Sequence, residues 1–235
     1  DRKEVEKTKS GDPIVGVAGG SYGGAFSLLL AGYDKRIDAL ASDITWNNLE
    51  TALFNQSADI ATPGVFKEMW TGYFFSVGMA TPPQLVNECG RFSIVWCLAY
   101  QEATSGLPLS AQSKLLMSQS SPASVTNKIK IPSLLMVGQA DSLFNFEQTL
   151  ATANQIQAAK STTPVKLIWH AGGHDGGLNE SEKLNSAILN WFNAYLFDKE
   201  TAQTGFEVSR VQGAVVGNNA NATVETLRSA KIPSF

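Results

Sequence analysis

The feature that most constrains the fold of this chain is a glycine-rich turn between its first two apolar runs. The run Ile14–Ala18 is β-branched and apolar on both faces, which indicates a parallel strand covered by helices on both sides. Residues Ala25–Tyr33 carry the apolar pattern of a helix. Between them stands the run Gly19-Gly20-Ser21-Tyr22-Gly23-Gly24. Glycine neighbours let the backbone close up around Ser21, so this turn is typical of an exposed, nucleophilic serine hydroxyl.

The order of predicted elements gives the fold class. Strands are predicted at 14–18, 37–42, 131–138 and 165–169, and helices at 25–33, 146–159 and 180–196. Alternating strands and helices predict an α/β fold with a mostly parallel, doubly wound sheet. An aromatic-rich stretch with proline and glycine breaks indicates an inserted helical cap. The predicted organisation is a first core part at 1–61, the cap at 62–125, a second core part at 126–200, and at 201–235 a tail or the start of a C-terminal β domain.

A serine nucleophile needs a base, and the chain contains only two histidines. His174 lies in the glycine-rich loop 172–177 after the strand 165–169, where its side chain can reach over the end of the sheet. It is the preferred base. His170 stands directly at the strand end and is predicted to have a structural role, although it stays the alternative base.

The acid of a serine triad is expected between the serine and the histidine, which gives the chain order serine, acid, histidine. Asp141 follows the strand 131–138 at its carboxyl end, where open α/β sheets place their sites, and is the preferred acid. Asp43, which follows the strand 37–42, is a rival. Asp175 is a third candidate, but it lies too close to His174 in sequence to orient that ring easily.

These residues predict acyl transfer in two steps, with Ser21 as nucleophile, His174 as base and Asp141 as the group that orients the imidazole. The backbone amide of Tyr22, at the positive end of the helix behind Ser21, is the predicted oxyanion donor. The chemistry requires no cofactor, and the spacing of histidines and cysteines does not match a metal site. Three aromatic side chains are candidate walls of a substrate pocket: Trp46, Trp70 and Phe74.

The amino-acid composition narrows the class of substrate and binding partner. The 235 residues include 43% hydrophobic ones, enough for a sizeable core, and Lys plus Arg number 18 against 21 for Asp plus Glu. Because no charge of one sign dominates, a small ester or short peptide substrate is favoured over nucleic acid. No apolar stretch is long enough to span a bilayer. Cys89 and Cys97 allow a single disulfide bridge, and the sequence does not decide the cellular compartment.

The chain resembles the X-Pro dipeptidyl-peptidase and cocaine-esterase-like branch of the α/β hydrolases, most closely its bacterial members. Six segments carry this resemblance: Gly19–Gly24, Ile44–Leu49, Cys89–Phe92, Ser120–Ala123, Gly138–Phe144 and Gly172–Gly177. The resemblance covers residues from about 14 to 197. It implies an α/β-hydrolase fold, Ser21, Asp141 and His174 as the triad, and hydrolysis of an ester or of a peptide bond after a penultimate proline.

One feature departs from the resemblance. Relatives build several strands before the nucleophile strand, and an upstream loop supplies a second oxyanion donor, whereas only 13 residues precede Ile14 here. The expectation is therefore that the first strands of the sheet are missing and that another segment or chain completes it. An alternative function follows, namely a binding or assembly module that keeps the fold without turnover.

Overall fold

The chain forms two compact units in the computed structural model. The structure describes residues 4–8, 10–55, 64–80, 89–199, 201–213 and 222–233. One unit, here called the sheet unit, comprises Asp1–Asn47 and Pro122–Phe235; the other, the helical unit, comprises Asn48–Ser121. The helical unit thus begins earlier than the cap predicted at 62–125.

Helices and strands alternate in the sheet unit, whereas the described residues of the helical unit form four helices and a two-stranded ribbon. In chain order the elements are β1 (Gly16–Gly20), α1 (Tyr22–Tyr33), β2 (Ala39–Asp43), α2 (Leu49–Leu53), β3 (Phe54–Asn55), β4 (Val65–Phe66), α3 (Glu68–Met79), α4 (Ile94–Thr104), α5 (Ala111–Gln119), β5 (Ser133–Gly138), α6 (Phe146–Ala159), β6 (Val165–His170), α7 (Ser181–Phe197), β7 (Gly205–Gln212) and β8 (Thr223–Ser229). No helix among the described residues is both long and apolar enough to cross a membrane.

The main sheet has six described strands in the order β1-β2-β5-β6-β7-β8. The first five run parallel and β8 is antiparallel to β7. Every residue of β5 is buried, because α1 and α6 pack on one face of the sheet through Leu135 and Leu167, and α7 packs on the other through Trp191. The predicted α/β class with a mostly parallel sheet is confirmed, with β1 at one edge of the described sheet.

The last two described strands lie in the main sheet. β7 pairs in parallel with β6, from Lys166 beside Gly205 to Trp169 beside Val208. The start of a C-terminal β domain stays a prediction, and the described residues from 201 onward therefore extend the main sheet. The reason is burial on both sides of the strand: the ring of Phe206 lies 4.8 Å from that of Trp169, and the carboxylate of Glu207 is buried on the opposite face.

The helical unit is held by aromatic stacking and one disulfide. The ring of Phe75 in α3 stacks on Phe92 at 4.3 Å and on Tyr100 of α4 at 4.0 Å between centroids. Cys89 and Cys97 form a disulfide with Cα atoms 6.0 Å apart, which settles a pairing that the sequence left open. The bond ties the segment before α4 to the first turn of that helix.

Candidate active site

Ser21 stands on a strained turn between β1 and α1. Its backbone angles are φ 53° and ψ −122°, a region that a residue with a side chain rarely occupies. A Cβ atom on Gly19 would lie 2.4 Å from the backbone of Gly23, so only glycine permits this close approach. By contrast, a Cβ on Gly23 meets no described atom within 4 Å. The steric demand of the motif thus falls on Gly19.

Residues at the end of β2 and just after it form hydrogen bonds with the backbone of Ser21. The backbone N–H of Ser21 donates to the carbonyl oxygen of Asp43 at 3.0 Å, and the hydroxyl of Thr45 donates to the carbonyl oxygen of Ser21 at 2.7 Å. Both backbone groups of Ser21 are therefore held by one neighbouring loop. The sequence did not single out Thr45, because its role depends on the pairing of β1 with β2.

Ser21, His174 and Asp141 lie within hydrogen-bond distance of each other in series. Nε2 of His174 is 2.8 Å from Oγ of Ser21, and Nδ1 is 2.6 Å from Oδ2 of Asp141. The side chain of Asp141 is fully buried and that of His174 is 14% exposed. Oδ1 of Asp141 accepts the amides of Leu143 and Phe144, and Oδ2 also accepts that of His174. These three amides fix the orientation of the Asp141 carboxylate.

Two loops bring the histidine and the aspartate together. β5 and β6 are adjacent parallel strands, so the loops that follow them meet at the same edge of the sheet. The carbonyl oxygen of Gly172 accepts the amide of Ala140 at 3.0 Å, and a Cβ on Gly173 would lie 2.5 Å from the backbone nitrogen of Asp141. Glycines in the loop 172–177 therefore allow the contact between backbones that places His174 beside Asp141.

The rival candidates lie in other interactions. His170 is 5% exposed, and its Nε2 lies 3.1 Å from Oδ1 of Asp43. Asp175 accepts hydrogen bonds from the hydroxyl and the amide of Ser142, and the hydroxyl bond lowers the pKa of the Asp175 carboxyl below its usual value. His170 and Asp43 thus bond to each other, and Asp175 bonds to Ser142.

The predicted pocket aromatics occupy different surroundings. Trp46 is only 5% exposed and packs between Tyr22, at 5.3 Å, and Phe144, at 5.1 Å, and the ring of Phe144 meets the edge of His174 at 5.6 Å. Trp46 thus packs against Phe144, which in turn contacts the imidazole of His174. Trp70 and Phe74 stack on each other at 5.9 Å within the helical unit, and their contact with substrate stays a prediction.

Tyr22, the predicted oxyanion donor, is the first residue of α1. The first amides of a helix have no acceptor within it, and they lie at the positive end of the helix dipole. The position next to Ser21 suits a donor to a negative oxygen formed near Oγ. Within the described ranges, no three His, Cys, Asp or Glu side chains are grouped so that they could share a metal ion.

Several solved structures resemble this fold at low sequence identity. An acylaminoacyl peptidase of Pyrococcus horikoshii is 17% identical, over 81% of this chain and 25% of that one, with a TM-score of 0.48. An esterase of Pyrococcus furiosus is 15% identical, over 77% and 53%, with a TM-score of 0.45. A puromycin-hydrolyzing peptidase of Mycobacterium tuberculosis is 18% identical, over 77% and 22%, with a TM-score of 0.47. The chain spans about a quarter of each peptidase and about half of the esterase.

A family model described as "Serine hydrolase (FSH1)" matches residues 4–175. The matched range contains Ser21, Asp141 and His174. No curated protein matches the chain. The match and the fold confirm the broader prediction of an α/β-hydrolase fold, whereas the resemblance to the X-Pro dipeptidyl-peptidase branch stays a prediction. Because the model covers more than half of its length, the chain belongs to the serine hydrolase (FSH1) family.

Proposed function

We propose that this protein hydrolyses an ester or an X-Pro-type peptide bond through an acyl-enzyme, with Ser21, His174 and Asp141 as its catalytic triad. The observation that carries the proposal is the series of two short contacts, 2.8 Å from Ser21 Oγ to His174 Nε2 and 2.6 Å from His174 Nδ1 to Asp141 Oδ2. A nucleophile in contact with a base, and that base in contact with a buried carboxylate, is the geometry that acyl transfer needs.

The acylation step follows from these contacts. Oγ of Ser21 attacks the substrate carbonyl carbon while its proton passes to Nε2 of His174. Asp141 accepts a hydrogen bond from Nδ1–H of His174, which keeps Nε2 free to act as base and stabilises the imidazolium that forms. The amide of Tyr22 donates to the oxyanion of the tetrahedral intermediate. His174 then returns the proton to the departing alkoxide or amine as the bond to the carbonyl carbon breaks.

Deacylation repeats the sequence with water. His174 removes a proton from a water molecule, whose oxygen attacks the acyl carbon on Ser21, and the collapse of the second intermediate returns the proton to Oγ. The products are a carboxylic acid and the regenerated hydroxyl of Ser21. The chain supplies the nucleophile, the base, the acid and one oxyanion donor, so no step needs a further reactant besides water.

The substrate class is proposed on chemistry and resemblance. The near balance of charges favours a small uncharged or mixed-charge substrate over a polyanion. The segments Gly138–Phe144 and Gly172–Gly177 support a substrate of the X-Pro peptidase or cocaine-esterase kind. Trp70 and Phe74 are proposed to contact the substrate through their apolar rings.

A fluorophosphonate probe tests the nucleophile directly. We expect it to label the full chain at Ser21, with labelling lost in Ser21→Ala. Ser27→Ala is the matched control, because Ser27 lies on the same helix and its hydroxyl donates only to the carbonyl oxygen of Gly23. Labelling of Ser21→Ala equal to that of the unchanged chain would contradict the proposal.

Two chromogenic substrates separate the possible activities. Turnover of p-nitrophenyl acetate without turnover of Ala-Pro-p-nitroanilide would identify an esterase, and the reverse preference would identify an X-Pro peptidase. A chain that is neither labelled nor active on either substrate would instead support the alternative of a binding or assembly module.

A further inference from the structure

We propose that His170 and Asp43 form a positioning pair that holds the loop of the base and the turn of the nucleophile in one frame. This inference rests on the proposed function, since it assigns a role toward Ser21 and His174. The pair lies in the sheet unit, at the ends of two strands that are not neighbours in sequence: His170 ends β6 and Asp43 ends β2, 127 residues apart. Their side chains are 6% and 20% exposed.

The hydrogen bonds of His170 define its tautomer. The backbone N–H of Gly172 donates to Nδ1 at 3.2 Å, so Nδ1 carries no proton. The single proton of the neutral ring is then on Nε2, which lies 3.1 Å from Oδ1 of Asp43 and donates to it. Both ring nitrogens are used, one as acceptor and one as donor. His170 is therefore a bridge between two loops rather than a general base.

Asp43 connects this bridge to the nucleophile. Its carbonyl oxygen accepts a hydrogen bond from the backbone N–H of Ser21 at 3.0 Å, while its carboxylate accepts one from Nε2–H of His170. One residue thus holds the strained turn with its backbone and the base loop with its side chain. A displacement of the Asp43 side chain from His170 would remove this link without changing the residues of the triad.

Gly172 connects the bridge to the base. Its N–H donates to Nδ1 of His170, and its carbonyl oxygen accepts from the amide of Ala140, one residue before Asp141. His174 follows two residues later. Because both sides of Gly172 are fixed, the start of the loop has one orientation, and that orientation places the imidazole between Ser21 and Asp141. Misplacement of a catalytic group by about 1 Å can cost about 100-fold in rate.

Two substitutions of His170 separate the halves of the bridge. In His170→Asn, Oδ1 takes the place of Nδ1 and still accepts from Gly172, while Asp43 is left to water. In His170→Gln, Nε2 takes the place of the ring Nε2 and still donates to Asp43, while the N–H of Gly172 loses its acceptor. We expect kcat on the better chromogenic substrate to fall about 10-fold in His170→Asn, which loses the bond to Asp43, and about 10- to 100-fold in His170→Gln, which loses the bond to Gly172, with KM little changed in either variant.

A spectroscopic signature distinguishes positioning from general stability. The proton between His174 Nδ1 and Asp141 should give a strongly downfield proton resonance in the unchanged chain and in His170→Asn, and a weakened or absent one in His170→Gln. Thermal unfolding is measured for each variant. Unaltered kcat in either variant, or losses that follow only the decrease in Tm, would overturn the proposal.

Substitutions of Asp43 give an independent test that leaves His170 in place. Asp43→Asn keeps an oxygen that accepts from His170 Nε2, and we expect kcat within about threefold of the unchanged chain. Asp43→Leu removes the acceptor, and we expect a loss of about 10-fold. Unaltered kcat in Asp43→Leu would refute the pair. Absence of fluorophosphonate labelling in the unchanged chain would refute the proposed function instead, so the two failures are distinguishable.

Discussion

The imidazole of His174 and the carboxylate of Asp141 are 2.6 Å apart, although 33 residues separate them in the chain. We predict that Asp141→Asn lowers kcat about 10³- to 10⁴-fold, because an amide can present its N–H₂ to Nδ1 and favour the wrong imidazole tautomer. Steady-state kinetics with the better chromogenic substrate measures this. Asp175→Asn is the control, since Asp175 bonds Ser142 and not the imidazole, and a loss below about 10-fold is expected. Similar losses in both variants would argue against Asp141 as the orienting acid.

A pair of glycine substitutions tests the turn around Ser21. A Cβ on Gly19 would lie 2.4 Å from the backbone of Gly23, whereas a Cβ on Gly23 meets no described atom within 4 Å. We predict that Gly19→Ala lowers the free energy of unfolding by about 1 to 3 kcal/mol and abolishes labelling at Ser21. Gly23→Ala should change the unfolding free energy by less than about 1 kcal/mol. Urea unfolding and probe labelling check both, and a Gly19→Ala variant that labels normally would contradict the steric account.

A buried carboxylate in β7 makes stability depend on pH. Burial alone raises the pKa of Glu207, but the charges of Lys166 and Lys183 and the nearby Arg228 outweigh this and leave the pKa below its usual value. A carboxyl group with a lowered folded-state pKa stabilises the fold above its unfolded pKa, and this stabilisation is lost as the pH falls through the folded value.

We predict that Glu207→Gln lowers the free energy of unfolding at pH 7 by about 2 kcal/mol or more, because three cations lose their shared, 6% exposed partner. The difference from the unchanged chain should shrink as the pH falls below the usual range of a glutamate. Urea unfolding at a series of pH values measures this. Glu225→Gln is the control: its pair with Arg210 is exposed on both sides, and a change below about 1 kcal/mol is expected. A difference that does not depend on pH would exclude ionised Glu207 as the cause.

The disulfide stabilises the helical unit by closing a short loop. Cys89 and Cys97 are eight positions apart, and a loop of that size restricts the unfolded chain by about 2 to 3 kcal/mol. We predict that the double variant Cys89→Ser, Cys97→Ser speeds hydrogen exchange in α4 and lowers stability by about that amount. Labelling at Ser21 should persist, because Ser21, Asp141 and His174 all belong to the sheet unit. Unchanged exchange in α4 would show that stacking of Phe75 on Phe92 and Tyr100 holds the segment without the bond.

The sequence predicted the parts of the site that local chemistry encodes. An apolar strand, a glycine turn and a helix in succession place Ser21, because only glycine at position 19 allows the backbone to approach Gly23. Asp141 and His174 were predicted from their positions just after strands, since parallel strands end at one edge of the sheet. The helix 146–159 was predicted with its observed bounds for a similar local reason, a regular apolar pattern.

Tertiary structure decided what depends on contacts between distant segments. The bond from His170 to Asp43 crosses 127 positions and exists only because β2, β5 and β6 lie side by side. The placement of β7 in the main sheet follows from burial of Phe206 and Glu207 against partners that no local pattern names. The sequence near each strand end therefore identifies the proposed catalytic residues Ser21, Asp141 and His174. How firmly they are held together is determined by the packing of strands that only the folded chain brings into contact.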